Sequence, residues 1–77
     1  MGRSLNVIAA DIENDWQEKV NAGARPYLDA MHFLIDTNDR FGVDSGDSIV
    51  RYFLSNATTW RGQVARSIKA ELNALIK

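Results

Sequence analysis

Few side chains in this 77-residue chain could do chemistry, and their spacing decides how each is read. There is one histidine and no cysteine, so thiol nucleophiles, thiolate zinc sites and disulfides are excluded by composition. A serine–histidine relay or a histidine metal cluster cannot be assembled around the single imidazole of His32. On a helix His32 shares a face with Leu28 and Ile35 and reads as a residue at the edge of the core. The carboxylates of Asp11, Asp15 and Glu18 recur at helical spacing as a solvated stripe. Glycosidase-type catalysis instead needs two carboxylates facing each other across a cleft. The stretch from Asp36 to Gly42 has the carboxylates of a calcium loop but not their order. Arg40 stands at the fifth ligand position, and Phe41 stands where a glycine must make the sharp turn. No glycine-rich phosphate loop occurs. The chain therefore reads as non-enzymatic, with no cofactor and no metal site.

Recognition chemistry is what remains. Two Trp, two Tyr and three Phe in so short a chain supply more aromatic surface than a small core absorbs, and aromatics and arginine dominate interface hot spots. Trp60, at helical spacing with Val64 and Ile68, reads as core. Phe33, Tyr52 and Arg61 read as exposed, and with Arg51, Gln63, Arg66 and Lys69 they form the candidate partner-binding set. Charge is polarised along the chain. Residues 1–39 hold three basic against seven acidic side chains, a net of −4, and residues 40–77 hold six against three, a net of +3. Two explanations stand open: complementary flanks of packed helices, or a basic patch for an acidic partner.

These residues must be positioned by helices. Leu5, Ile8, Ile12, Trp16 and Val20 line one face of a helix over residues 5–22, with Ser4 or Asn6 as its cap and Gly23 as its left-handed terminator. Pro26 opens a second helix over 26–37, whose apolar residues cover a broad surface. After a polar loop, Asp44 or Ser45 caps a third helix over 46–55. Its run Ile49-Val50-Arg51-Tyr52-Phe53-Leu54 is β-prone alone, but apolar residues recur at i,i+4. Trp60, Val64, Ile68, Leu72 and Leu75 mark a fourth helix over 59–76. The expectation is an all-α fold, a compact bundle of four helices forming one domain over residues 1–77. A break of about three residues between helices three and four is helix-turn-helix spacing, which makes a DNA-binding regulator the alternative reading. Thr58, Thr59, Arg61, Gln63 and Arg66 would then reach base edges or phosphates, with Arg51 and Lys69 adding phosphate contacts. A pI near 5.6 weighs against it.

No apolar run approaches the ~20 residues a membrane span requires. Charges at Asp11, Glu13 and Asp15 interrupt any secretory hydrophobic region, and Asn6 stands where a myristoylation signal needs Ser or Thr. The expected location is the cytoplasm, without membrane contact, and the Asn56-Ala57-Thr58 sequon is read as accidental.

The block Phe41-Gly42-Val43-Asp44-Ser45-Gly46, then Ser48 to Ala57, Thr59-Trp60-Arg61-Gly62, Ala65-Arg66, Ile68-Lys69 and Glu71-Leu72, resembles a group of short proteins encoded by bacteriophages and mobile elements. Pro26 to Met31 fits the same group, and the resemblance spans about residues 24 to 76. It implies a bacterial host cell and carries no catalytic residues. Small phage proteins without enzymatic machinery often bind and disable a host protein, including CRISPR and other defence components. The expected function is thus a protein-interaction module, a phage-encoded inhibitor of a host protein that can itself belong to a nucleic-acid-binding complex. Direct nucleic-acid binding is the lesser expectation, and self-association stays open because so small a core gains from a partner copy.

Overall fold

Leu5, Ile8, Ala9, Ile12 and Trp16 fall on one helical face. In the computed structural model, which describes residues 3–76, they are the buried face of α1 (Leu5–Trp16). The first N–H groups of α1 are satisfied by main chain: Leu5 N donates to Ile35 O at 2.8 Å and Asn6 N to Leu34 O at 2.9 Å. Ser4 occupies the N-cap position, but its hydroxyl makes no capping bond. The helix expected over 5–22 stops at Trp16. Gln17 breaks the helix at a positive φ of 57° within a 3-10 turn (Gln17–Lys19), and Gly23, expected as the left-handed terminator, is not among the positive-φ glycines. After this early turn the Asn21 amide donates to Asn56 O at 3.0 Å while its Oδ1 accepts from Ala24 N at 2.7 Å.

α2 (Arg25–Met31) opens with Pro26 in its first turn and buries Leu28, Ala30 and Met31. It too is shorter than the 26–37 expected, because the carbonyls of Leu34 and Ile35 leave the helical ladder to cap α1. A tight turn follows, in which Asp39 Oδ2 accepts from Ile35 N and Asp36 N at 2.8 and 3.1 Å. The polar loop then contains a feature absent from the all-α expectation: a two-stranded antiparallel hairpin, β1 (Arg40–Phe41) and β2 (Asp44–Ser45), turning at Gly42 with φ 66°.

β2 leads directly into α3 (Gly46–Asn56). Ser45 is its cap, with Oγ accepting from Ser48 N at 3.2 Å, and the β-prone run is helical, burying Ile49, Val50 and Phe53. Gly46 is required by close approach: a Cβ there would lie 2.7 Å from Asp36 O and 3.0 Å from Thr37 Cα. The connector from Ala57 to Gly62 is ordered by burial of Ala57 and Trp60, and α4 (Gln63–Ile76) begins four residues later than expected. Its buried face is Ala65, Ile68, Leu72 and Ile76, while Val64 is 45% exposed. Ile68 and Leu72 are buried as expected, but Ala65 takes the buried place expected of Val64, because Trp60 is not on the helix that follows it. The fold is mostly helical, four helices with one short hairpin. α1 and α3 each pack against both α2 and α4 over one continuous hydrophobic cluster. Its Cα radius of gyration is 11.0 Å, close to the value of about 11.5 Å for a compact chain of this length.

Candidate interaction surface

Trp60 organises this end of the molecule. Its indole stacks on Trp16 with centroids 5.5 Å apart and 16° between planes, meets Phe53 edge-on at 6.3 Å, and donates from Nε1 to Asp15 Oδ2 at 2.9 Å. Anchoring the indole fixes the connector. Arg61 then projects outward, Gly62 turns the backbone at φ 115°, and α4 starts. Lys69, two turns along α4, reaches back so that Nζ donates to Trp60 O at 2.7 Å and lies 5.8 Å from the indole centroid. Burial and, secondarily, the neighbouring charge of Arg61 lower the pKa of Lys69. Arg61, Arg66 and Lys69 border one open depression of about 320 Å³ with Thr58, Trp60 and Ala65.

The partners of the other arginines make this cluster distinctive. Arg3 bridges Asp11 and Glu71, with Nη2 at 2.8 Å from Glu71 Oε1. Arg25 forks onto Glu13 at 2.7 and 3.0 Å and reaches Asp29 at 3.2 Å. Arg51 pairs with Asp47 on its own helix and donates to Ile76 O at 2.9 Å. Arg40 donates to Val43 O at 3.0 Å. Among the described residues, Arg61 and Arg66 make no ion pair and no side-chain hydrogen bond. Nor do α1 and α4 neutralise each other with complementary flanks: Asp11 is taken by Arg3, Asp15 by the Trp60 indole, and neither meets Arg66 or Lys69.

The remaining candidates are elsewhere. Gln63 lies on the opposite side of the α4 start, in a groove of about 570 Å³ that it shares with Arg3, Asp11 and Asp15. Tyr52 is 45% exposed and packs on Tyr27 at 5.3 Å. Phe33, 76% exposed, leans on Phe41 of the hairpin at 5.8 Å. Sequence reasoning did not single out Phe41 or Val43 as surface residues, because no signal short of the hairpin itself exposes them. The seven candidates therefore divide among several places, and only Arg61, Arg66 and Lys69 converge.

His32 is half-buried, with Nε2 3.0 Å from Glu13 Oε1, and joins the Arg25–Glu13 pair that ties α1 to α2. Arg25 first, and His32 after it, hold the Glu13 carboxyl below its ordinary range. Asp36 and Asp39 accept main-chain N–H groups, and among the described residues no group of three acidic, histidine or cysteine side chains is placed to hold a metal. The connector between α3 and α4 runs over Ala57–Gly62, not the three residues of the helix-turn-helix expectation, and Thr58, Thr59 and Arg61 precede α4 instead of lying on it. No described helix is long and apolar enough to cross a membrane. Comparison with known proteins finds no matching family model, curated protein or solved structure.

Proposed function

We propose that this chain is a non-enzymatic protein-interaction module, a phage-encoded inhibitor that meets an acidic surface of a host protein through Arg61, Arg66 and Lys69. One observation carries the reading: the chain engages Arg3, Arg25 and Arg51 with its own carboxylates but leaves Arg61 and Arg66 facing solvent around a shared depression. An unpaired, partly preorganised basic cluster steers and orients an acidic partner at little cost in lost internal contacts. The resemblance to short phage and mobile-element proteins supplies the host context, a bacterial cytoplasm, and with it a CRISPR or other defence component as the class of target.

The regulator alternative loses the spacing on which it rested, because the connector is longer than three residues and Thr58, Thr59 and Arg61 precede the helix, leaving only Gln63 and Arg66 on it. The test is capture of partners from bacterial lysate on the tagged protein, with and without nuclease. The expected result is one host protein retained after nuclease and lost when Arg61 and Arg66 are both changed to Glu. Retention that survives this double reversal would overturn the assignment of the surface. Capture of nucleic acid alone would overturn the protein-partner reading.

A further inference from the structure

We infer that the depression at the start of α4 is an oxyanion site that takes a phosphate group. The inference concerns the same face as the interaction reading and rests on its basic cluster, but it does not need a protein partner.

Three cations border the depression, and no carboxylate among the described residues lines it. Arg61, just before α4, and Arg66, on it, each bring a planar fork suited to two phosphate oxygens. Lys69 is held as a point charge at the back by Trp60 O, itself fixed by the buried indole. Placing a cation partly out of water beside Arg61 is unfavourable, and the lowered pKa of Lys69 expresses that cost. A bound anion removes it. Thr58 adds a hydroxyl at the rim. The residue before α4 is Gly62, which has no side chain to cap the helix, and the first turn carries no acidic residue. Donors from three side chains therefore border one depression, and a tetrahedral group with three or more oxygens accepts from them in directions outside any single plane, which a planar carboxylate does not. The shared chemistry is a phosphate, carried either by a small free species or by the phosphodiester of a nucleic-acid strand.

The experiment is a titration of the whole chain with inorganic phosphate at constant ionic strength, chloride being the replaced anion, read by amide and indole NMR shifts. Expected are saturable shifts confined to residues 58–69 and the Trp60 indole N–H. Arg66→Gln or Arg61→Gln should each weaken binding by about ten-fold, the loss of one charge-assisted contact. Both are solvent-facing, so amide spectra outside the pocket should stay unchanged. A second titration uses a short oligothymidylate. If it shifts the same amides and competes with phosphate, the group comes from a nucleic-acid backbone; if it does not while phosphate does, the group belongs to a small species. No saturable shift at tens of millimolar phosphate, or shifts equal in the Arg66→Gln variant, would overturn the inference. Lysate capture would be untouched by that result, and a failed capture would leave the phosphate shifts as they are, so the two ideas fail separately.

Discussion

Val64 and Ala65 separate helical periodicity from the observed packing more cleanly than any other pair. Apolar spacing from Trp60 through Ile68 and Leu72 puts Val64 in the core, whereas the structure leaves Val64 45% exposed and Ala65 1% exposed. Replacing each in turn with Gln leaves the charge and the helix dipole unchanged, so the two variants differ mainly in what surrounds the new side chain. At position 64 the amide reaches solvent, and a surface change of this kind stays within about 0.5 kcal/mol. Gln also has a slightly better helix propensity than Val. At position 65 the larger side chain must enter a filled space and bury an amide without partners, which together costs about 3 kcal/mol. A domain of this length has on the order of 4–12 kcal/mol in all. The Ala65→Gln variant should therefore melt roughly 15 °C lower, followed by far-UV circular dichroism, with Val64→Gln melting close to the parent. If Val64→Gln is the costlier change, α4 is rotated from the position described and the surface built on it is wrong.

Other consequences follow from the same contacts. Trp60→Ala removes the stack on Trp16 and the anchor of the connector, and should cost about 3–5 kcal/mol in urea unfolding, while Asp15→Ala should cost only about 1 kcal/mol and speed exchange of the indole N–H. Gly46→Ala places a Cβ 2.7 Å from Asp36 O, and backbone cannot yield as a side chain can, so a loss of about 1–3 kcal/mol is expected by the same unfolding assay. Glu13 and Glu71 have lowered pKa values, chiefly through Arg25 and Arg3 respectively. They bind fewer protons folded than unfolded, so their stabilisation is complete above the ordinary carboxylate range and is lost as pH falls through and below it. Glu13→Gln should flatten the acid limb of a stability-against-pH profile; an unchanged limb would show that the Arg25 pair contributes nothing measurable, as exposed pairs often do.

The helices were legible where local and tertiary preferences agree. Leu5, Ile8, Ile12 and Trp16 repeat over a face that is buried along its whole length, and Ser45 caps α3 as its side chain and position suggest. The ends were not legible, because they are decided by distant partners. α2 gives up its last turn so that the Leu34 and Ile35 carbonyls can cap α1, a bond between segments about 30 residues apart that no local pattern encodes. The hairpin rests on two-residue strands, too short to imprint an alternation. Trp60 was recognised as core, yet its spacing to Val64 and Ile68 mimics a helix it does not belong to, and this displaced the start of α4 by four residues. Of the candidate surface, the residue types were readable and the grouping was not. Arg51 looks equivalent to Arg61 in sequence, and only the fold shows Asp47 and the Ile76 carbonyl occupying it.

The central claim is that Arg61 and Arg66 are the partner-facing cations because the chain leaves them unpaired. The most direct measurement compares partner capture by three proteins: the parent, Arg61→Glu with Arg66→Glu, and Lys19→Glu with Arg40→Glu, which makes the same change in net charge away from the depression. All three should keep the parent's helicity. The account expects the host protein held by the parent to be held equally by the Lys19/Arg40 variant and lost by the Arg61/Arg66 variant. Equal loss in both would mean that overall charge, not this surface, does the binding, and retention in both would mean that the partner docks elsewhere.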